Sequence, residues 1–316
     1  MGIVDGKVAI VTGAGRGVGR GEALELAAQG AKVVVNDFDA PMSGHGLTSA
    51  ERDGDSPADE VVAIIKERGG EAVANYGSVA NFDDAAAMVQ LAIETFGGLD
   101  IVVNNAGILR DNTITKMTEG EFDSVIAVHL KGTWNLTHHA CVYWQNESKA
   151  GRVRRAAIVN TVSSAGLQGN KGQANYGAAK AGIAALTAIT SLEGTRYGVR
   201  ANAVAPGGAT RMVNAAMPSI PIVEANDVND GDDFNRLNPG NSAPMVVWLA
   251  SDEALHVSGQ VFRSVGDDIS HYVPWTIGKS VKASKGPRKW KPEEIGEAVA
   301  TGIYGTRIGG LQMGGG

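Results

Sequence analysis

"KVAIVTGAGRGVGRGEALELAAQGAKVVVND" occupies residues 7–37, and its reading decides the fold. It opens on a β-branched run, 7–13, that ends in Gly. A helical pattern follows over 20–31, with Ala23, Leu24, Leu26 and Ala27 at helical spacing, and a second apolar run fills 32–37. Strand, glycine turn, helix and strand make a βαβ unit with parallel strands. The glycines fit T-G-x-x-x-G-x-G through Gly13, Gly17 and Gly19; they do not fit G-x-G-x-x-G, because Val18 stands at the last position counted from Gly13. Such glycines allow a tight turn and close backbone approach, and the N–H groups opening the helix suit a pyrophosphate. Asp37 ends the second strand, 18 residues beyond Gly19. A carboxylate there bonds adenosine ribose hydroxyls and repels a 2′-phosphate, which predicts NAD over NADP. Arg16, within the loop, reads either as a solvated side chain or as a cation for a 2′-phosphate.

The alternation continues outward. Residues 56–69 predict a helix with Ser56 as N-cap and Pro57 at its first position. Strands are predicted at 71–76, 99–107, 155–163, 199–207 and 259–266, and helices at 82–96, 119–145, 175–197 and 243–251. Near-continuous apolar strands between helices predict a doubly wound α/β domain, its parallel sheet covered on both faces and its crossovers right-handed. Residues 1–270 read as this one domain. The polar, Gly-rich insert 38–55 reads as a surface loop, and 271–316 as a C-terminal extension.

Bulk properties narrow the function. The chain has 316 residues, 43% of them hydrophobic, and a net charge of −6. That balance argues against a general nucleic-acid binder, which carries a basic footprint. The one cysteine, Cys141, allows no internal disulfide, and no His/Cys cluster has metal-ligand spacing, so no metal is expected. No signal-peptide pattern opens the chain and no apolar run approaches ~18 residues, so a cytoplasmic protein without a membrane span is expected.

The chemistry centres on "GQANYGAAK" (172–180). Tyr176 and Lys180 stand at i and i+4, on one face of a helix, with small residues between them. A phenol ionises near pH ~10, so acting as a base near neutrality asks for about 4 kcal/mol of extra phenolate stabilisation. A neighbouring ammonium supplies stabilisation of that sign. Lys180 could also bond a ribose. Ser163, thirteen residues before Tyr176 and just past a strand, is placed to donate to a substrate oxygen.

Taken in order, T-G-x-x-x-G-x-G, "NNAG" (104–107), Ser163, Tyr176-x-x-x-Lys180 and "PG" (206–207) resemble the short-chain dehydrogenase/reductase family over about residues 1–265. The resemblance implies a Rossmann fold with a seven-stranded parallel sheet, a homodimer or homotetramer, and Ser163, Tyr176 and Lys180 as catalytic residues. It implies that Gly13, Arg16, Gly17, Val18, Gly19 and Asp37 bind the cofactor, together with Tyr176 and Lys180 themselves. Asn104, Asn105, Ala106 and Gly107 would lie along it, Pro206 and Gly207 near its nicotinamide, and Thr210 near the amide. A catalytically silent NAD-binding protein would lack one of Ser163, Tyr176 or Lys180; none is missing.

"VVVND", "EAVANYGSV", "VVNNAGILRD", "VHLKG", "GNKGQANYGAAKAGI" and "VVWLAS" look like the (3R)-hydroxyacyl-CoA dehydrogenase unit of peroxisomal multifunctional enzymes and its bacterial relatives. That resemblance implies NAD-linked oxidation of a 3-hydroxyacyl thioester. Two positions depart from the pattern. The wider family places an Asn as a fourth catalytic member where His129 stands; the subgroup shares the His, which reads as a proton relay near Lys180 or as a buried structural imidazole. Gly77 stands where the subgroup has Asp, so an adenine contact is lost or passes to Ser78, next to Val79.

The substrate side is less determined. Residues 211–240 are expected to form a flap over the substrate, apolar at "RMVNAAMPSIPIV" (211–223) and acidic at Glu224, Asp227, Asp230, Asp232 and Asp233. An acyl-CoA and a steroid-like substrate both suit the apolar part, and an NADP-dependent carbonyl reductase is the alternative on the cofactor side. The basic run of Lys279, Lys282, Lys285, Arg288, Lys289 and Lys291 reads as a solvated surface or as a partner for CoA phosphates. If it meets CoA, neutralising Lys282, Lys285 and Arg288 will weaken turnover of a CoA thioester and spare a CoA-free substrate. Unchanged thioester kinetics would rule the contact out.

Overall fold

The protein is described by a computed structural model over residues 2–38, 56–225, 234–273, 275–283 and 289–304. The elements run β1 (Val8–Thr12), α1 (Gly17–Ala28), β2 (Lys32–Asn36), α2 (Pro57–Glu67), β3 (Ala72–Asn75), α3 (Phe82–Phe96) and β4 (Ile101–Asn104). They continue as α4 (Glu119–Ile126), α5 (Gly132–Lys149), β5 (Ala156–Thr161), α6 (Ser164–Gln168), α7 (Ala174–Gly194), β6 (Val199–Pro206), α8 (Arg211–Ala216), α9 (Ala243–Ala250), β7 (Val261–Val265), β8 (Asp268–Tyr272) and α10 (Pro292–Val299). The sheet order is β3-β2-β1-β4-β5-β6-β7-β8. The first seven strands are parallel, as the sequence predicts, and the order reverses between β1 and β4. In a doubly wound sheet that reversal opens the binding crevice at the carboxyl ends of the strands.

β8 is additional and runs antiparallel to β7. It follows a turn at Gly266, whose φ of +59° suits a residue without a side chain. "DISHY" is exposed at four of five positions, so it carries no burial pattern to announce it. The strand crosses position 270, and the first compact unit ends at Tyr272. The second unit, Val273–Gly316, contains α10, with Pro292 in its first turn and Glu293 and Glu294 near its positive end.

Two further differences concern helices. The single helix expected over 119–145 is divided by a π-helical turn, Ala127–Lys131, that carries His129. A π turn adds one residue to the helical repeat and re-aims the side chains that follow. α6 is a short helix after β5, too brief to leave a periodic signal. The other expected helices and strands are present within a few residues of their predicted bounds, and Ser56 caps α2 in a reciprocal box with Asp59. The insert at 39–55 lies outside the described residues.

Helices cover both faces. Val33, Val35, Leu26, Val61, Ile65 and Leu249 form one apolar layer, and Val34, Met88, Leu136, Trp144 and Ile158 form the other. Alternate residues of β2 thus enter opposite layers, as the two-residue strand period requires. Each fully buried large apolar side chain contributes about 1.5–3 kcal/mol. Beneath the carboxyl edge runs a buried polar thread. Asn104 Nδ2 donates to Asn160 Oδ1 at 2.9 Å and to Thr137 Oγ1 at 3.2 Å, and Asn160 Nδ2 donates to Thr187 Oγ1 at 2.9 Å. It ties β4 and β5 to α5 and α7, which carry the groups above. Asn160→Ala leaves Asn104 and Thr187 short of partners in a dry site. We expect it to cost about 1–3 kcal/mol, read as a lower denaturant midpoint; an unchanged midpoint would show that the thread is not stabilising.

Candidate active site

The site is built from turns that leave the parallel strands at one edge. β1 ends at Thr12, and its hydroxyl accepts hydrogen bonds from Asn105 N at 3.0 Å and Ala106 N at 3.1 Å. In return Asn105 Nδ2 donates to Thr12 O at 3.0 Å and Gly13 O at 3.2 Å. Gly13 has φ +61°, and a Cβ there would stand 2.8 Å from Ala106 Cα. The glycine loop and the "NNAG" turn therefore interlock. A Cβ on Gly17 would approach Thr210 Cγ2 to 3.2 Å, so Thr210 roots the 211–240 segment beside the loop. Asp37 Oδ2 accepts from Gly15 N at 2.9 Å, which places that carboxylate against the loop.

Past β3, Ser78 N donates to Asp84 Oδ2 at 2.8 Å, and Val79 O accepts from Asn135 Nδ2 at 2.8 Å. Past β6, Gly207 N donates to Ser264 O at 3.1 Å. Thr210 Oγ1 caps α8 by accepting from Val213 N at 3.3 Å. Within residues 211–240, Met217, Ile222, Phe234 and Leu237 are exposed. Asp227, Asp230, Asp232 and Asp233 lie outside the described residues, as do Lys285 and Arg288 of the basic run.

Ser163, Tyr176 and Lys180 meet beside the end of β5. Ser163 caps α6, its Oγ accepting from Ala165 N at 3.2 Å, and its hydroxyl is near enough to the Tyr176 phenol to lower the phenol's pKa. Lys180 Nζ donates to Thr161 O at 2.6 Å and lies 5.6 Å from the Tyr176 ring centroid. The His129 ring meets Tyr176 edge-on, centroids 5.1 Å apart. His129 Nε2 sits 3.0 Å from Ile108 N and 2.8 Å from Ile108 O. A Cβ on Gly107 would stand 2.3 Å from His129 Cε1, so a glycine is needed where the imidazole crosses the turn.

Burial governs the charges. It pulls the Lys180 ammonium down to about 7, with the Glu22 carboxylate acting the other way. It pushes the Tyr176 phenol up; the Ser163 hydroxyl pulls it back and the Asp111 carboxylate adds to the rise. Depression of the phenol by Lys180, expected from the i, i+4 spacing, is thus outweighed in the protein alone. The reason is geometric: Nζ is directed at the Thr161 carbonyl, and desolvation lowers its own charge. His129 is pulled down to about 3 by burial and by Lys180, against its bond to Ile108. Burial thus favours the neutral imidazole, and its contacts with Ile108 and the Gly107 turn suit the structural of its two readings.

Two residues close to this chemistry escaped the sequence reading. Asn175, one residue before Tyr176, lay in a bland run that gave it no signal. Glu22 left one: it shares a helix face with Gly19, Ala23 and Leu26, all buried, where a charge is out of place.

Comparisons with known proteins place the chain among relatives of one family. The sequence profile described as "short chain dehydrogenase" matches residues 7–219. The chain is 40% identical over 294 residues to hydroxyacyl-CoA dehydrogenase ChsB1 of Mycobacterium tuberculosis, covering 92% of this chain and 87% of that protein. It is 39% identical over 285 residues to peroxisomal multifunctional enzyme type 2 of Mus musculus, covering 90% of this chain but 35% of that longer protein. A crystal structure of a short chain dehydrogenase from Mycobacterium avium superposes with a TM-score of 0.84 at 46% identity, covering 99% of this chain and 100% of that one. No helix among the described residues is long and apolar enough to cross a membrane.

Glu22 makes a prediction of defined sign. Burial pushes its carboxyl up to about 8, with Lys180 opposing, and its Oε2 has no hydrogen-bond partner among the described residues. A carboxyl whose folded value is raised stabilises the fold fully below its unfolded value of 4.5, and that contribution is lost as pH rises through about 8. Glu22→Gln removes the slope. The melting temperature of the variant relative to the parent should therefore climb as pH rises from about 5 to 8, by at most about 1.4 kcal/mol of stability per pH unit. Lys180, held low, tilts both proteins the opposite way above about 7. Parallel curves across the acidic half of the range would show that Glu22 ionises normally.

Proposed function

The chain belongs to the short-chain dehydrogenase family, and on that premise we propose that it interconverts a 3-hydroxyacyl-CoA and its 3-ketoacyl form with NAD as the hydride carrier. The observation that carries this reading is the convergence of Ser163, Tyr176 and Lys180 at the carboxyl edge of the sheet. The similarity to a hydroxyacyl-CoA dehydrogenase over nearly the whole chain supports the thioester. The exposed apolar side chains of the flap suit an acyl chain.

The residues present fit a dinucleotide. α2, α3 and α4 are capped by the side chains of Ser56, Asn81 and Thr118, whereas α1 has no side-chain cap. Its opening N–H groups suit an anion. Gly13, Arg16, Gly17, Val18 and Gly19 would hold the pyrophosphate, Asp37 the adenosine ribose, and Ser78 and Val79 the adenine. Asn105, Ala106 and Gly107, then Pro206, Gly207 and Thr210, would line the nicotinamide half. Bound there, NAD supplies the hydride acceptor. Asp37 against the loop backbone is the observation that favours NAD over its 2′-phosphorylated form.

Tyr176 handles the proton. Burial favours the protonated phenol, which gives its proton to the ketone oxygen in the reduction direction; in the oxidation direction the phenol must first lose its proton, and the phenolate then takes the hydroxyl proton. Ser163 bonds the same oxygen and orients it. Lys180, anchored on Thr161 O, adds positive charge beside the ring as it gains its proton below about 7. The exposed Trp134 and Val142 of α5, and Ile189 and Leu192 of α7, suit burial in a homodimer or homotetramer.

The test is NADH formation against a panel of 3-hydroxyacyl-CoA thioesters, hydroxysteroids and simple secondary alcohols, run with NAD and with NADP. Thioesters with NAD should give the highest kcat/KM, and Tyr176→Phe should lower kcat by about 10²–10⁴-fold. Preference for a steroid would overturn the substrate assignment. Preference for NADP would overturn the reading of Asp37.

A further inference from the structure

Asn175 touches the Tyr176 backbone and, at the same time, two chain segments beside it. Its side chain is fully buried, with 0% exposure. Oδ1 accepts from Tyr176 N at 2.7 Å, and Nδ2 donates to Arg110 O at 2.9 Å and to Glu121 O at 3.0 Å. Both amide hydrogens and a lone pair are thus spent on main chain. The Tyr176 N–H belongs to the first turn of α7, where backbone donors lack helical acceptors, and Gln173 at the N-cap makes no side-chain cap bond. Asn175 fills that role from inside the helix.

The Arg110 carbonyl belongs to a segment pinned along its length. Its start, Ile108, places N 3.0 Å and O 2.8 Å from His129 Nε2, which bonds one or the other according to its tautomer. Asp111 Oδ2 accepts from Gln173 Nε2 at 2.8 Å, and Asn112 N donates to Gly172 O at 2.8 Å. One residue before Ile108 is the "NNAG" turn, interlocked with the glycine loop through Thr12 and Asn105. A continuous chain of hydrogen bonds and covalent links therefore runs from the glycine loop to the residue that carries the phenol.

We propose that Asn175 is a positioning residue that holds Tyr176 in register with the 105–111 segment, and through it with the glycine loop. Proton transfer is sensitive to such register, since a misplacement of about 1 Å can cost 10²-fold in rate. The proposal rests on the reading that Tyr176 carries the proton. A packing asparagine would stabilise the fold without separating turnover from cofactor binding.

Asn175→Asp keeps the size and the acceptor for Tyr176 N but turns oxygens toward the Arg110 and Glu121 carbonyls. Asn175→Ser is too short to span them. Each variant is to be measured for kcat on whichever substrate the parent turns over fastest, for NADH affinity by fluorescence titration, for melting temperature, and for hydrogen exchange of residues 107–112. The expected result in a folded variant is a kcat lower by about 10²-fold, unchanged NADH affinity, a shifted pH–rate profile, and faster exchange confined to 107–112. A folded variant with parental kcat or parental exchange overturns the proposal. So does loss of kcat and NADH affinity together with a falling melting temperature, or failure of both variants to fold, since either marks a packing role. A parent inactive on thioesters but active on another alcohol overturns the substrate assignment alone. A parent inactive on every alcohol and ketone removes the premise about Tyr176, and the exchange measurement still decides whether Asn175 ties the two segments.

Discussion

One hydroxyl holds the site together. Thr12 Oγ1 accepts from two successive backbone N–H groups, of Asn105 and Ala106, and Asn105 returns its amide to the carbonyls of Thr12 and Gly13. This exchange spans the gap between β1 and β4, where the winding of the sheet reverses and no helix crosses. Without it, the glycine loop and the "NNAG" turn would be separate strand ends, each with backbone groups to satisfy in a crevice. With it, they are one surface. The glycines then become a steric requirement of that closure: a Cβ on Gly13 or Gly19 would run into the partner turn.

Desolvation sets the protons above that surface. Lys180, Glu22 and His129 are each nearly inaccessible, and burial is the largest influence on all three. It drives each toward its neutral form, as it does Tyr176. In the protein alone, burial therefore favours the protonated phenol, the protonated Glu22, the neutral imidazole and the neutral Lys180 amine. Cation and phenol share a helix face, yet proximity does not deliver a phenolate while the cation is itself short of water and turned to a carbonyl. The i, i+4 spacing predicts the juxtaposition correctly and the sign of the net shift incorrectly, because spacing says nothing about solvent.

The same distinction separates what was legible in the residues from what was not. The parallel strands were readable as apolar runs because both of their faces are buried, and Ser56-Pro57 announced α2 through a local capping box. Those are properties of neighbours in sequence. β8 was not readable, because an exposed edge strand needs no apolar alternation. The π turn was not readable, because its helical pattern continues on both sides. Ser163, Tyr176, Lys180 and the glycines could be singled out by residue type and spacing, and the structure brings Ser163, Tyr176 and Lys180 together. Asn175 could not be: its value lies in reaching Arg110 and Glu121, more than fifty residues away in the chain.

The surroundings of Tyr176 and the segment after β6 are also built differently. Around Tyr176, the chain is tied by side chains to main chain: Asn175 to Arg110 and Glu121, His129 to Ile108, Lys180 to Thr161. Such bonds fix backbone position whatever the exposed side chains are. The segment after β6 is anchored at its root, where Thr210 lies against Gly17 and caps α8, and again where Ala209 O accepts from Val223 N at 2.8 Å. Between those anchors Met217 and Ile222 are exposed. Substitution there changes the exposed surface without touching a bond that holds the phenol. A fold divided in this way can keep the geometry around Tyr176 while that surface varies, because the two depend on different sets of hydrogen bonds.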